Sequence, residues 1–499
     1  MANALLVYNC RLLDENMDVP GAVLSVNGRI RAVFQGYYTD EKTVTVMGQS
    51  VLMEDGYGEN CVLKVFDAGG LTLTPAFIDM HVHLRYPGQT QKEDLDSGIH
   101  AAIAGGVGTV LAMPNTNPVV SDLETSLRIQ SEAEKIGLTK VLQTVSITKD
   151  FDGKTTDHLE ILDKAHVPVI TEDGRDVLDA GVMLEAMRIA AEKGIIVSCH
   201  CEDNTLAKAA KPFREEAINM ISQYNLPIMA DEEDVFEKVP ESVISQIHME
   251  LSQANDLLRL AEDNATKRNI ELARLANCHI HLAHVSTMES IETIRDVKEE
   301  IAYNHNSMVL TGIKHVSERF ANENFNVTCE VTPHHIALTG TEEPNIRYLV
   351  NPPLRSEEDR VALIEGIVDG TVDVISTDHA PHTREDKING APGFTGIETA
   401  YAICNTELVK KGFIDDRRLS KLMSGNPARL LHLNKGVIQP NYDADFTILD
   451  RDAEWTINPK NFYSKGKYTP FDGYTYFGSV KAVILNGEIV FQKSVSSLE

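Results

Sequence analysis

Short, nearly continuous apolar runs rich in β-branched residues alternate along this chain with longer stretches of helical period. The runs are Phe77–His83, Val107–Met113, Lys140–Ile147, Val167–Asp173, Ile195–His200, His279–Val285, Asn326–Val331 and Val372–Asp378. Such runs are the pattern of strands buried on both faces of a parallel sheet. Between them lie amphipathic stretches such as Glu93–Ala104, Ser121–Lys135, Gly181–Lys193 and Ser356–Asp369, with Gly396–Lys411 after the last strand. Strand and helix alternating in this way predict an α/β fold, a (β/α)8 TIM-type barrel over residues 73–433. An open doubly wound sheet is the competing architecture.

The two ends of the chain have a different rhythm. Leu5–Tyr8, Ala22–Val26, Arg29–Phe34 and Val62–Asp67 read as short strands joined by turns. Strands return at Phe446–Leu449, Lys481–Leu485 and Glu488–Phe491, the last two joined by an Asn486-Gly487 hairpin turn. Neither end alone carries much core. Residues 1–72 and 434–499 are therefore expected to build one small β domain together. Two helical patterns exceed what a barrel crossover needs. One spans residues 242–276, and the other spans 288–322 with an expected break near Asn304–Asn306. A surface helical hairpin and an interface are both open readings of them.

Charge narrows the function. The 499 residues carry a formal net charge of −28, which argues against nucleic acid or an anionic membrane as partner. An anionic substrate would need local cations. No apolar stretch approaches transmembrane length, and the first residues lack a basic, then apolar, leader, so a cytoplasmic protein is expected. Seven scattered cysteines with no CxxC pair suit buried thiols better than a disulfide framework or a structural zinc site.

Candidate chemistry sits where the strands end. His81 and His83, spaced by two, point to the same side of the first barrel strand and are followed at once by a Pro-Gly turn. The fourth strand ends in Glu172-Asp173, the fifth in His200, the sixth in His284 and the eighth in Asp378. TIM-type barrels carry their chemistry at this face. Four histidines and two carboxylates there suit one or two divalent ions of the zinc type. Strand parity leaves both Glu172 and Asp173 open as the carboxylate between two metals. Asp378 is placed to carry a proton from water to a leaving nitrogen. His279 and His281 lie too far back on the sixth strand to be ligands. His334 and His335 suit supporting roles, and His379 is expected to face away from the mouth.

Nine motifs in order complete the pattern: HVHLRYPG (His81–Gly88), AMPNTNPV (Ala112–Val119), TEDG (Thr171–Gly174), HCEDN (His200–Asn204), AHVST (Ala283–Thr287), EVTPHH (Glu330–His335), NPPLR (Asn351–Arg355), TDHAPH (Thr377–His382) and GFTGIET (Gly393–Thr399). As a set the chain resembles the amidohydrolase superfamily, and within it the dihydroorotases that look like the common bacterial monofunctional enzymes. The resemblance implies zinc, one or two ions per chain with two the expectation. It implies His81 and His83 as ligands of the more buried ion, His200 and His284 as ligands of the second, and Asp173 as the bridge. Asp378 would be the metal-bound general acid/base. Arg85, Asn115, Asn351 and His382 would bind the substrate and its carboxylate.

The implied reaction is reversible hydrolysis of the cyclic amide of L-dihydroorotate to N-carbamoyl-L-aspartate, in pyrimidine synthesis. A homo-oligomer such as a dimer, and association with aspartate transcarbamoylase, are further implications. Two rivals are a hydantoinase- or allantoinase-type hydrolase and an inactive structural partner of aspartate transcarbamoylase. Hydantoinase-like relatives use a carboxylated lysine as bridge, and VPVITEDG (residues 167–174) contains no lysine. Chains of the inactive kind lose ligands that are all present here. The chain departs from the family pattern at Ala76, Tyr86 and Glu172.

Overall fold

The structure, a computed structural model, describes residues 2–57, 60–224, 239–311, 324–340 and 346–493. The chain begins with β1 (Ala2–Leu13), β2 (Asp18–Val26), β3 (Arg29–Gln35), β4 (Cys61–Asp67) and β5 (Thr72–Pro75). One residue later it enters the barrel. The strands there are β6 (Phe77–Val82), β7 (Val107–Ala112), β8 (Lys140–Gln143), β9 (Val145–Ser146), β10 (Val169–Thr171), β11 (Ile196–Cys199), β12 (His279–Leu282), β13 (Asn326–Val331) and β14 (Val374–Ile375). The chain ends with β15 (Phe446–Thr456), β16 (Thr475–Leu485) and β17 (Glu488–Gln492).

β6 to β14 form the barrel, with every pairing parallel. β8 and β9 are one strand interrupted at Thr144, pairing first with β7 and then with β10. Closure comes from a parallel bridge between Val82 and His379, with His83 N–H donating to the His379 carbonyl at 2.8 Å. The eighth strand is shorter than the expected Val372–Asp378, because Asp378 turns out of the extended region with φ of 48°. Ile78, Met80, Leu111, Met113, Leu142, Val169, Ile196 and Val374 fill the barrel interior, plugged by Ala428 and Leu431. The opposite strand faces pack under helices in a second apolar layer.

The terminal strands join in one sheet, ordered β17-β16-β15-β5-β1-β2-β3 with β4 beside β1. β15 pairs antiparallel to β5, which ties the end of the chain to its beginning. The Asn486-Gly487 turn is as expected, with φ of 50° and 72° at its two central residues. β1 is buried on both faces. Leu5 and Val7 pack with Phe446 and Ile484, whereas Leu6 and Tyr8 pack under a helix at Glu41–Glu54. That helix departs from the strands-and-turns expectation.

A second unexpected helix spans Asn204–Gln223 and carries Pro212 in its interior. It packs along the long helix Glu241–Ala276 through Ala210, Ala254 and Leu258. The other long pattern is a helix over Met288–Thr311 that runs through Asn304–Asn306 without the expected break; residues 312–322 of that pattern lie outside the described residues. Among the described residues no helix is long and apolar enough to cross a membrane.

Candidate active site

β6 aims its histidines by a local irregularity. Its ladder with β7 pairs Asp79 with Val110 and Val82 with Ala112, so one extra residue sits between. Met80 faces the barrel interior before this bulge, and His81 and His83 reach the mouth after it. Asp79 fixes the bulge. Its carboxylate accepts from His81 N–H at 3.2 Å, and from Thr377 N–H at 3.1 Å and Oγ1–H at 2.6 Å, one residue before Asp378.

The six expected metal-site residues come together, and all are buried. Asp173 lies at the centre. Its Oδ1 is 3.1 Å from His81 Nε2 and 3.8 Å from both His200 Nδ1 and His284 Nε2, and its Oδ2 is 3.5 Å from His83 Nε2. Donor atoms of His81, His83 and Asp173 lie within 4.8 Å of one another, as do those of Asp173, His200 and His284. Asp378 Oδ1 is 3.0 Å from His83 Nε2 and 3.7 Å from His81 Nε2. Glu172 is engaged elsewhere, accepting from Thr148 N–H at 2.9 Å. Of the two carboxylates that strand parity left open, Asp173 is the one that lies among the four histidines. His284 and Asp378 hold φ of 32° and 48°, and Arg85 holds 55°. Non-glycine residues in this region cost of order 1 kcal/mol or more each, a strain that tends to collect at functional sites.

Hydrogen bonding sets two of the tautomers. Asn115 Nδ2 donates to Asp173 Oδ2 at 2.9 Å, so its Oδ1 accepts from His83 Nδ1–H at 2.9 Å. His83 Nε2 is then a bare lone pair, yet it stands 3.0 Å from a carboxylate oxygen of Asp378. His81 Nδ1–H donates to Glu330 Oε1 at 2.8 Å, and its buried Nε2 makes no hydrogen bond. Two lone pairs facing two carboxylates in a buried cluster call for a cation. Histidine and carboxylate donors with outer hydrogen bonds of this kind suit a divalent ion of the zinc class.

The electrostatics show the same demand for positive charge at the cluster. Burial alone would lower His81, but the charges of Asp173 and Glu330 raise it well above the usual histidine value. Against the same burial, His81 holds Asp173 well below the carboxylate range. Against the same burial, the nearness of His83 and His81 lowers Asp378 as well.

Beside this cluster the residues expected to bind substrate divide. Arg85 is buried; its Nε–H donates to the Pro381 carbonyl at 3.2 Å and its Nη2 lies 3.2 Å from His382 Nε2. Among the described residues Arg85 forms no ion pair. Desolvation lowers it to about 10 against the pull of Asp378 and Asp173, so it stays charged. Burial and the charge of Arg85 push His382 down to about 2, so it stays neutral. Asn351 Nδ2 donates to Glu202 Oε2 at 2.9 Å and lies 3.3 Å from His200 Nε2. Asn115 has both ends of its amide engaged by His83 and Asp173. The Tyr86 hydroxyl donates to Glu132 at 2.6 Å. His379 faces away from the mouth, its Nε2 3.5 Å from Glu93.

Several contributors escaped the sequence reading. Glu330 orients His81 and also lies 3.3 Å from His281 Nε2. Its signal was a lone carboxylate near the end of a buried strand. Arg214, on the unexpected helix, donates to the Val350 carbonyl at 2.8 Å and to Asn351 Oδ1 at 3.3 Å. Glu262, buried on the long helix Glu241–Ala276, accepts from Ser286 N–H at 2.8 Å, Thr287 N–H at 3.1 Å and Arg355 Nη2–H at 3.2 Å. It braces the turn after His284 and the loop after Asn351 together. Glu262→Ala leaves Arg355 buried without its partner, so unfolding in urea is expected to need about 3 kcal/mol less. A loss under about 1 kcal/mol would mean that the remaining bonds of Arg355 to main-chain carbonyls suffice.

Comparison with known proteins places this geometry. A dihydroorotase of Clostridium botulinum (strain Eklund 17B / Type B) is 36% identical over 490 residues, covering 98% of this chain and 100% of the relative. A dihydroorotase of Bacillus cytotoxicus is 36% identical over 473 residues, covering 92% of this chain and 97% of the relative. Among solved structures, the L-hydantoinase (dihydropyrimidinase) from Arthrobacter aurescens superposes with a TM-score of 0.74 at 22% identity, covering 98% of this chain and 96% of that one. That likeness establishes the barrel with its attached β domain. The sequence model of the amidohydrolase family matches residues 72–490, so the chain belongs to the amidohydrolase family.

Proposed function

We propose that this cyclic amidohydrolase is a zinc-dependent dihydroorotase, interconverting L-dihydroorotate and N-carbamoyl-L-aspartate in pyrimidine synthesis. The observation that carries the reading is Arg85: a buried guanidinium, without an ion-pair partner among the described residues, held beside the histidine–carboxylate cluster. A buried charge of this kind is costly unless a ligand completes it. A carboxylate beside the scissile amide does so, and dihydroorotate carries one. Hydantoin itself does not. The full-length relatives named dihydroorotase support the same choice.

In this reading two zinc ions are held by His81, His83, Asp173, His200, His284 and Asp378. Bound there, zinc polarises the amide carbonyl and lowers the proton affinity of water. The chain's own residues do the rest. Asp378 accepts the proton of the attacking water on a carboxylate oxygen and returns it to the ring nitrogen as the amide bond breaks. Arg85 and His382 hold the substrate carboxylate. Asn351 lines the opposite wall beside His200, and Asn115 keeps His83 and Asp173 in register. Glu330 keeps His81 in the tautomer whose Nε2 is bare. Cyclisation runs the same transfers in reverse. The barrel at 73–433 and the composite domain from 1–72 and 434–499 are the proposed units, in a cytoplasmic protein.

Chelation is expected to abolish hydrolysis of dihydroorotate, and added zinc to restore it, with about one to two ions per chain by elemental analysis. Full activity in thoroughly stripped protein would refute the metal assignment. Hydrolysis of hydantoin with none of dihydroorotate would refute the substrate.

A further inference from the structure

Lys387 is among the largest side chains that are fully buried in the molecule, and no step above uses it. It lies on the short helix Arg384–Ile388, five residues after His382. Its Nζ donates to three main-chain carbonyls: Leu349 at 3.2 Å, Ala391 at 3.0 Å and Gly393 at 2.9 Å. Burial and the charge of Arg214 push Lys387 down to about 7, but three carbonyl acceptors call for three donor hydrogens, which only the ammonium supplies. Lys387 forms no ion pair among the described residues.

The three carbonyls belong to two loops, one leading into Asn351 and the other in contact with His382. Leu349 lies two residues before Asn351. Ala391 and Gly393 flank Pro392, whose carbonyl lies 2.9 Å from His382 Nε2. Main-chain bonds also tie the loops, since Gly393 N–H donates to the Leu349 carbonyl at 3.0 Å. The Leu349 carbonyl thus receives both Lys387 and Gly393. Arg214 holds the next carbonyl, that of Val350. Gly393 has φ of 116°, and a Cβ there would meet Ala380 at 2.7 Å, so this loop has no slack of its own.

We propose that Lys387 is a positioning residue whose ammonium, caged by three carbonyls, sets the gap between Asn351 and His382 and so the fit of the substrate. Three carbonyl oxygens converging on one charged nitrogen make the coordination that a small monovalent cation also accepts. An emptied cage should therefore take up ammonium or potassium. Lys387 does not touch the reacting atoms: it is buried and all its hydrogens are engaged. Its effect should fall on binding, and the inference rests on Asn351 and His382 belonging to the substrate pocket as proposed above.

The test is Lys387→Met, assayed for kcat, KM and metal content in ammonium, potassium or choline chloride at equal ionic strength. Losing charge-assisted bonds to both loops should raise KM for dihydroorotate about tenfold or more, with kcat changed less than about threefold and metal content unchanged. Ammonium or potassium should recover part of that KM, and choline none. An unchanged KM overturns the proposal. So does a joint fall of kcat and metal content that no cation relieves, because that is the signature of general damage. If Lys387→Met does not fold, Lys387→Gln is read by the same criteria, since it keeps two donors without the charge. Should the wild type fail to act on dihydroorotate, the substrate reading fails by itself. The cage is then judged by melting temperature: ammonium should raise that of the variant above its value in choline and leave the wild type unmoved, and equal response of the two proteins overturns it.

Discussion

Asp378→Asn is expected to lower kcat by about 10²- to 10⁴-fold while the fold is kept, the range usual for loss of a general acid–base group. Asparagine matches the carboxylate in shape and keeps one oxygen for a metal, but it cannot take a proton. The position is built for a carboxylate that stays ionised. Against a burial that raises it, the nearness of His83 and His81 holds Asp378 well below the usual range. Its strand breaks at φ of 48° to bring it there, anchored by Thr377 on Asp79. The measurement is steady-state turnover with metal content determined on the same sample. Near-normal turnover with metal bound would sink the role. A loss that tracks missing metal would instead make Asp378 a ligand without a proton to carry.

The constellation was legible because a barrel sends every strand end to one mouth. His81, His83, His200, His284 and Asp378 each close an apolar run, and the run marks the strand. Features decided by three-dimensional contact were not legible. Parity could not separate Glu172 from Asp173, since only the fold shows Glu172 held by Thr148 and Asp173 among the histidines. Glu330 reads as one carboxylate in a short strand until His81 is found 2.8 Å away. Asn115, read as a substrate residue, shows its bonds to His83 and Asp173 only in the fold.

Two helices were missed for opposite reasons. In Glu41–Glu54 the alternating Thr43-Val44-Thr45-Val46 suggests a strand. The residues buried there are Val44, Gly48 and Leu52, a spacing of four, with Asp40 capping the start at Thr43 N–H. Packing on β1 overrode the β-branched propensity. In Asn204–Gln223, Pro212 reads as a breaker. The helix survives it by packing Ala210 on the long neighbouring helix, and it delivers Arg214 to Asn351.

The second large effect is expected at Arg85, the residue proposed to read the substrate carboxylate. The protein carries a formal charge of −28, so its overall field repels an anionic substrate and a local cation must offset it. In the proposed function Arg85 is that cation. It lies two residues after His83, and its own φ of 55° turns it from the strand end toward Pro381 and His382. Because His382 stays neutral, the charge that meets the carboxylate belongs to the guanidinium. A charge-assisted bidentate contact is about twice as strong as a neutral hydrogen bond, and leaving a buried carboxylate unpaired costs about 2–5 kcal/mol. Arg85→Met should therefore lower kcat/KM for dihydroorotate by about two to three orders of magnitude, at about 1.4 kcal/mol per tenfold. Any weak activity on dihydrouracil, the same ring without the carboxylate, should fall far less. Stability should move the other way. The buried guanidinium has no ion-pair partner among the described residues, so an apolar side chain of similar length should hold or raise the melting temperature. A variant that is no less stable, keeps its metal and loses only the carboxylate-bearing substrate is the expected outcome. Equal losses on both rings at unchanged metal content would mean that Arg85 does not read the carboxylate.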